Sequence, residues 1–307
     1  MMRPSTIRKV AVMCGGFSKE REISLVSGGA AERALKTKGF DVTMVDVPRD
    51  MTALVSTLSA AKPDVVFNAL HGRFGEDGCI QGLLDMMQIP YTNSGRLASA
   101  VAMDKPMAKR MFAAAGIPVA EERVVTRAEA EQGDVMTRPY VLKPVNEGSS
   151  VGVKIVREGD NRPPLDDLGL AADDFIMAER FIPGREVTVA VMGDKPLAVT
   201  EITTARGFYD YEAKYAAGGS AHILPAKLDR KLYDKAMQLA LDAHRVLGCR
   251  GVSRADFRLD GKTFVILEVN TQPGLTPTSL VPEQAAHVGM SFNDLILWMV
   301  EHAQCDA

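Results

Sequence analysis

Cysteine is scarce in this chain, and its spacing excludes the usual cysteine-based sites. The four cysteines among 307 residues stand far apart, and no pair has Cys-x-x-Cys spacing. Zinc clusters and redox motifs depend on such pairs. We therefore expect no disulfide framework, and we predict that the chain works in the reducing cytoplasm.

The chain also lacks a strong net charge and a long apolar run near its start. Its formal net charge is −3, which gives no support for a nucleic-acid partner or an anionic membrane surface. After Arg8 and Lys9 the apolar run VAVM has only the length of a strand. Neither a signal peptide nor membrane insertion is therefore expected.

What the chain does have is the length and composition of a globular protein with several domains. Its hydrophobic content of 46% and charged content of 24% are ordinary. A length of 307 residues exceeds the usual size of one domain. The patterns described below predict three domains, at residues 1–103, 104–183 and 184–307.

The first predicted domain alternates strands and helices between residues 7 and 104, which is typical of a doubly wound parallel sheet. Ser18 is predicted to cap the first helix, which should end near Lys38 because Gly39 suits the position after a helix. The glycine-rich loops 14–18 and 71–78 follow strands. Ligands bind such sheets beyond the carboxyl ends of the strands, so both loops are candidate binding loops.

The other two domains are predicted to be α+β. We expect helices at 107–115, 229–247 and 291–303, the last capped by Ser291. Central strands are predicted at 121–125, 139–143, 151–156 and 175–179. Residues 205–226 contain three tyrosines but no steady period, which indicates a long functional loop.

A β-hairpin within residues 251–280 carries the densest chemical pattern, and two turn lengths are open. A two-residue turn, Asp260-Gly261, would put Asp256 and Glu268 on opposite faces. A three-residue turn, Asp260-Gly261-Lys262, pairs Leu259 with Thr263 and gathers the polar side chains on one face: Arg254, Asp256, Glu268 and Asn270. Hydrophobic patterning favours the three-residue turn. That face suits divalent cations that bridge phosphate oxygens, although a half-buried hairpin with a solvated charged face would look the same.

Seven blocks of sequence, in order and spacing, resemble the D-alanine–D-alanine ligase family of the ATP-grasp superfamily. They are GGFSKEREISL (15–25), NALHGRFGEDG (68–78), MDKPMAK (103–109), VLKPVNEGSSVGV (141–153), FYDYEAKY (208–215), GVSRADF (251–257) and EVNTQPGLTPTSLVPEQA (268–285). The resemblance implies an ATP-grasp fold in which the two α+β domains enclose ATP. It also implies that ATP phosphorylates the carboxylate of one D-alanine and that the amine of a second D-alanine attacks the acyl phosphate.

The resemblance further implies roles for individual residues. Those that match the family's magnesium ligands are Asp256, Glu268 and Asn270, which would hold two ions, with Mn²⁺ as a substitute. Those that match its catalytic and substrate-binding positions are Arg254, Gly274, Glu20, His71, Ser149, Tyr215, Ser279 and Leu280. Those that match its nucleotide contacts are Lys105, Lys143, Ser150, Glu179, Phe181, Ile182, Glu186 and Lys214. The loop EGSSVG lacks the Walker pattern GxxxxGK[ST], which disfavours a P-loop site.

Alternative functions stay open at this point. Another ATP-grasp ligase is disfavoured by the blocks GGFSKEREISL and HGRFGEDG. A nucleotide-binding regulatory module without chemistry would lack some of the polar residues of the hairpin, all of which are present. Relatives that make D-alanyl-D-lactate or D-alanyl-D-serine differ mainly at the long loop and the second-substrate pocket, where Tyr215 resembles the dipeptide-forming enzymes. The resemblance also implies a homodimer formed through the N-terminal domain.

Overall fold

Three β-sheets organise the computed structural model, which describes residues 7–146, 148, 152–161, 163–204 and 219–306. The first sheet is parallel, with strand order β2-β1-β3: β1 is Lys9–Cys14, β2 is Asp41–Asp46 and β3 is Val65–Asn68. Its helices are α1 (Arg21–Thr37), α2 (Met51–Ala61) and α3 (Cys79–Met86). Alternate residues of β1 pack against α1 on one face and against α2 and α3 on the other. Because both faces are covered, β1 is a nearly continuous apolar run, as in other buried parallel strands.

The start of α1 differs from the prediction, whereas its end agrees. Glu20, rather than Ser18, occupies the N-cap position. The Ser18 hydroxyl accepts a hydrogen bond from the Glu20 N–H at 3.2 Å and donates to the His71 carbonyl at 2.7 Å. Ser18 therefore joins two loops instead of capping the helix. The helix ends at Thr37, and Gly39 follows with a φ of +87°, as predicted.

The second sheet is antiparallel, with strand order β4-β7-β5-β6. Its strands are β4 (Glu122–Thr126), β5 (Tyr140–Pro144), β6 (Lys154–Val156) and β7 (Phe175–Arg180). Helices α4 (Arg96–Met103) and α5 (Lys105–Ala114) precede this sheet in the chain, and α6 (Arg127–Gln132) connects β4 to β5. Thr126 and Glu129 form a capping box at the start of α6. One face of the sheet forms a buried core with α6. The other face carries Lys143 and Glu179 and lies against α5.

The third sheet is antiparallel and has five strands in the order β10-β9-β8-β11-β12. The strands are β8 (Arg185–Met192), β9 (Lys195–Thr203), β10 (Ala221–Ile223), β11 (Val252–Asp260) and β12 (Thr263–Asn270), with α7 (Arg230–Val246), α8 (Leu280–His287) and α9 (Phe292–Glu301) beside them. Helices α5 and α7 cover one face of this sheet. Helix α9, which Ser291 caps as predicted, packs back against α1 and the first sheet. The predicted domain boundaries stay a prediction.

The hairpin of β11 and β12 has neither of the registers considered from the sequence. The turn is Gly261-Lys262, with Asp260 opposite Thr263 and Leu259 opposite Phe264. Gly261 has a φ of +57° at the position where type II′ turns place glycine. A β-bulge at Leu267 then shifts the register by one residue, so Asp256 comes to lie opposite Glu268. The predicted three-residue turn is wrong, but the bulge supplies the extra residue and the predicted common face is formed.

No helix in these described ranges is both long enough and apolar enough to span a membrane.

Candidate active site

The hairpin places a guanidinium and a carboxylate side by side. Asp256 lies opposite Glu268 and Arg254 lies opposite Asn270, and directly opposed residues of an antiparallel pair project from one face. Arg254 donates from Nε and Nη2 to the two carboxylate oxygens of Asp256, at 2.8 and 2.7 Å. The Thr188 hydroxyl donates to Asp256 Oδ1 at 2.6 Å. This two-point pairing fixes the position of both charged groups.

Glu268 and Asn270 continue this face towards α5. Glu268 Oε2 lies 3.9 Å from the Lys105 ammonium nitrogen, and Asn270 Oδ1 accepts a bond of 2.8 Å from the Gln272 N–H. With Asp256, the two residues supply carboxylate and amide oxygens, the donors that hard divalent cations prefer. In the described part of the chain, no three His, Cys, Asp or Glu side chains form a metal site by themselves. The predicted ligand set therefore depends on the amide of Asn270, and chemically it fits a hard cation.

Two buried carboxylates from the first sheet approach the same region. Glu20 begins α1, and Glu76 lies in the loop after β3. Both converge on Gly148, where an added β-carbon would lie 3.0 Å from Glu76 Oε1 and 3.2 Å from Glu20 Oε2. Glu76, Gly148, Lys105 and Glu268 line one small cavity. Burial, and then the nearby Glu20 carboxylate, raises the pKa of Glu76 to about 8.

The His71 ring is buried where the first sheet meets the loop after β12. Its Nε2 lies 3.4 Å from the Ser27 hydroxyl on α1, and the backbone of Gln272 hydrogen-bonds the ring. Burial lowers the pKa of His71 to about 4, so the imidazole is neutral at pH 7. The Ser27 hydroxyl also accepts a bond of 3.3 Å from the Leu275 N–H. His71 and Ser27 therefore hold the loop that contains Gly274 against the first sheet.

Lys143 and Glu179 form a buried ion pair on the second sheet. The Lys143 ammonium lies 2.6 Å from Glu179 Oε2, and Lys109 donates to Glu179 Oε1 at 2.5 Å. Burial by itself would raise the pKa of Glu179, but the two lysines outweigh it and hold that pKa below its usual range. The side-chain oxygens of Glu179 are thus engaged by lysines, and its backbone lies within the sheet, opposite Glu122 on β4 and Val141 on β5.

The segment between β7 and β8 is held by one arginine. Arg258 donates to the Ile182 carbonyl at 3.1 Å and to the Gly184 carbonyl at 2.7 Å. It also donates to Glu186 Oε2 at 3.2 Å, and its guanidinium lies 6.0 Å from the centre of the Phe181 ring. The predicted adenine and ribose contacts of this segment therefore share a common anchor on β11.

The loop after β12 brings the remaining predicted residues together. The Ser279 hydroxyl accepts from the Thr276 N–H at 2.9 Å and lies 2.8 Å from the Thr276 hydroxyl. A β-carbon added at Gly274 would lie 3.1 Å from Ser279 Oγ, so glycine leaves room for close approach to the backbone there. Leu280 begins α8 and packs against Ile202. The predicted oxyanion donor and second-substrate residues are therefore neighbours.

Four predicted site residues lie outside the described residues: Ser149, Ser150, Lys214 and Tyr215. In the opposite direction, the structure adds polar residues that sequence analysis did not select: Ser27, Glu76, Lys109, Thr188, Arg258 and Gln272. Two of them had a usable pattern, because Lys109 follows Lys105 by one helical turn and Arg258 continues the alternation of Arg254 and Asp256 along β11. For Thr188 no pattern in the sequence pointed to the site.

The antiparallel sheet with its polar hairpin, the lysines on α5 and β5, and the parallel sheet beside them make this an ATP-grasp protein. Family models described as "D-ala D-ala ligase C-terminus" and "D-ala D-ala ligase N-terminus" match residues 111–301 and 52–94. A D-alanine–D-alanine ligase from Rhodospirillum rubrum is 58% identical over 98% of this chain and 99% of its own length. One from Paramagnetospirillum magneticum is 57% identical over 97% of this chain and 99% of its own length. The chain belongs to the D-alanine–D-alanine ligase family.

Solved structures agree with this placement. A crystal structure of D-alanine–D-alanine ligase from Bacillus anthracis has a TM-score of 0.82 and 29% identity, covering 96% of this chain and 97% of that chain. The structure of the same ligase complexed with ATP has a TM-score of 0.81 and 26% identity, with the same coverage. The VanG D-Ala:D-Ser ligase from Enterococcus faecalis has a TM-score of 0.78 and 29% identity, covering 96% of this chain and 99% of that chain.

Proposed function

We propose that this chain joins two D-alanine molecules into D-alanyl-D-alanine for peptidoglycan synthesis, with conversion of ATP to ADP and phosphate. The observation that carries the proposal is the hairpin face with one guanidinium, two carboxylates and one amide, facing Lys105. Relatives that bear the name of this activity match nearly the full chain. We also propose that the protein works in the cytoplasm.

Activation of a carboxylate requires transfer of a phosphoryl group, because a carboxylate oxygen is a poor leaving group. Lys105 and Lys143 reach the region from α5 and β5 and would neutralise the phosphates of ATP. The segment with Glu179, Phe181 and Ile182 would contact adenine. Outside the described residues, Ser150 and Lys214 would add further phosphate contacts.

Arg254 and the Gly274 N–H would stabilise the negative oxygen of the tetrahedral intermediate. Donors that are already in place stabilise developing charge without reorganisation, which makes this one of the larger contributions to catalysis. Arg254 is held by Asp256, so its orientation is fixed before the substrate binds. Glu186 would bind the ribose, and it is oriented by Arg258.

Glu20 would bind the ammonium group of the first D-alanine, because it is a buried carboxylate beside the binding loops. His71 would act beside it as a neutral group that orients the loop of Gly274. Ser279 and Leu280 would receive the second D-alanine. Ser149 and Tyr215 would close the long loop over the site and keep water from the acyl phosphate.

Asp256, Glu268 and Asn270 would hold two Mg²⁺ ions, with Mn²⁺ as a substitute. When bound, such ions supply positive charge between the phosphate oxygens of the nucleotide.

Phosphate release from ATP in the presence of D-alanine or L-alanine tests the proposal. We expect release with D-alanine only, and D-alanyl-D-alanine as the product by mass spectrometry. Release that ignores chirality, or no release with either enantiomer, would contradict the proposed function.

A second candidate function is synthesis of D-alanyl-D-serine, which the D-Ala:D-Ser ligase among the solved neighbours favours. Product assays with D-alanine paired against D-serine and against D-lactate distinguish the candidates, and we expect the D-alanine dipeptide to dominate. We also propose a homodimer formed through the first sheet and its helices, which sedimentation velocity would test.

A further inference from the structure

Lys109 is a buried lysine beside the nucleotide residues, and the proposed reaction gives it no role. Its side chain is 2% exposed, although a lysine is rarely buried to this extent unless it is paired. The ammonium donates to the Ala120 carbonyl at 2.9 Å and to Glu179 Oε1 at 2.5 Å, and it lies 3.1 Å from Glu122 Oε2. Lys109 therefore touches two carboxylates inside the protein.

The strand register explains why a cation is needed at this place. Glu122 on β4 lies directly opposite Glu179 on β7, so the two carboxylates project from one face of the sheet. Like charges in such a pair repel each other. Helix α5 carries Lys109 into the gap between them, one turn after Lys105.

Glu179 is consequently shared by two lysines. Its Oε1 binds Lys109, and its Oε2 binds Lys143 at 2.6 Å. Under the proposed function Lys143 contacts the phosphates of ATP, so we expect its ammonium to turn from Glu179 towards phosphate when the nucleotide binds. A carboxylate that is 3% exposed would then be an uncompensated buried charge unless another cation stayed beside it.

We propose that Lys109 is a positioning residue for nucleotide binding: it keeps Glu179 ionised and in place, so that Lys143 can exchange Glu179 for a phosphate oxygen. The inference rests on the proposed function only through the role of Lys143 towards phosphate. Without Lys109, Lys143 would be the principal counterion of Glu179, and ATP would have to break that pair to recruit it.

The experiment compares the nucleotide affinity of four proteins: wild type, Lys109→Met, Glu179→Gln and the double variant. Dissociation constants for a fluorescent N-methylanthraniloyl derivative of ATP are measured with magnesium, without D-alanine. We expect Lys109→Met to weaken binding at least tenfold. In the Glu179→Gln background, where no carboxylate competes for Lys143, the same substitution should change the affinity less than threefold.

Several comparisons make the result decisive. Lys109→Arg keeps the charge and should bind within threefold of wild type, and Lys36→Met, at an exposed ion pair on α1, should bind like wild type. In turnover, Lys109→Met should raise KM for ATP while KM for D-alanine stays within twofold. Equal losses of affinity with and without Glu179 would show a packing role and overturn the proposal, as would wild-type affinity in Lys109→Met.

The double variant distinguishes a loss of folding from a loss of nucleotide binding. If Lys109→Met does not fold, the double variant, which lacks the buried charge of Glu179, should fold and bind nucleotide within threefold of Glu179→Gln. A double variant that also fails to fold would show that Lys109 has a structural role and would overturn the proposal. Because nucleotide binding is measured without amino acid, a chain that binds ATP but ignores D-alanine would overturn the proposed function and leave this inference standing.

Discussion

The buried histidine of the site provides a prediction whose size follows from its pKa. Burial lowers the pKa of His71 from 6.5 to about 4, so the folded protein resists protonation that the unfolded chain accepts. The stability that the neutral His71 ring contributes is therefore fully present above pH 6.5 and is lost as the pH falls from about 6.5 towards 4. Between pH 7 and pH 5 these two pKa values correspond to a loss of about 2 kcal/mol in the free energy of unfolding.

The test replaces His71 with Asn, which removes the titrating group. Urea unfolding at pH 7 and pH 5, at equal ionic strength and with two spectroscopic probes, gives the loss of stability for each protein. We expect the loss in His71→Asn to be smaller than in wild type by about 2 kcal/mol. His287→Asn, at an exposed histidine, is the control and should leave the loss unchanged. NMR titration of the histidine ring protons gives the pKa directly, and a His71 midpoint near 6.5 would refute the reasoning.

Three further predictions concern Glu268 in the hairpin, the buried carboxyl group of Glu76, and the core residue Phe257. Glu268→Gln should lower kcat for D-alanine-dependent phosphate release by a factor of about 100 or more. Glu301→Gln on α9 is the control and should leave kcat unchanged. A Glu268→Gln variant as fast as wild type would show that Glu268 is not part of the site. Burial raises the pKa of Glu76 to about 8, so the stability that its protonated form contributes is present below about pH 4.5 and is lost as the pH rises through 8. Glu76→Gln, which cannot ionise, should therefore make the protein without nucleotide more resistant to alkaline unfolding. Equal melting temperatures for the variant and wild type at pH 9 would show that ionisation of Glu76 does not destabilise the fold. Phe257→Ala should lower the free energy of unfolding by about 3–5 kcal/mol, because the ring is fully buried and packs edge-on against Phe264. Phe175→Ala, at a residue that is 62% exposed, should change it little in the same urea titration, and similar losses in both variants would contradict the assignment of this core.

The parallel sheet and most helices could be predicted from the sequence because their signals are local. The strand of β1 is a continuous apolar run between turn residues, and α9 has both a capping serine and a helical period. The short helices α4 and α8 were missed, since α4 consists mostly of small residues and α8 has Pro282 in its first turn, so neither shows a clear helical period. The cap of α1 was misjudged because the Ser18 hydroxyl bonds to His71, which is 53 residues away.

The candidate site divides in a similar way. Its residue types could be read from the blocks, but the partners that orient them could not. The bond from Thr188 to Asp256 and the contact between Lys109 and Glu179 join elements about 70 residues apart. No spacing in the sequence reports such contacts. The neutrality of His71 likewise results from tertiary burial, which a loop position does not reveal.

The bulge at Leu267 makes the chemistry of the hairpin depend on where residues are gained or lost as well as on their identity. Leu267 has no opposite residue on β11, so deleting it would close the bulge and leave Asp256 opposite Glu268. Deleting Val269 instead would keep every polar residue in the sequence, yet it would turn Asn270 to the side of the ribbon away from Asp256. When this protein is aligned with distant relatives, a one-residue gap at Leu267 should therefore be treated as a missing bulge, and a one-residue gap between Glu268 and Asn270 as an altered ligand set.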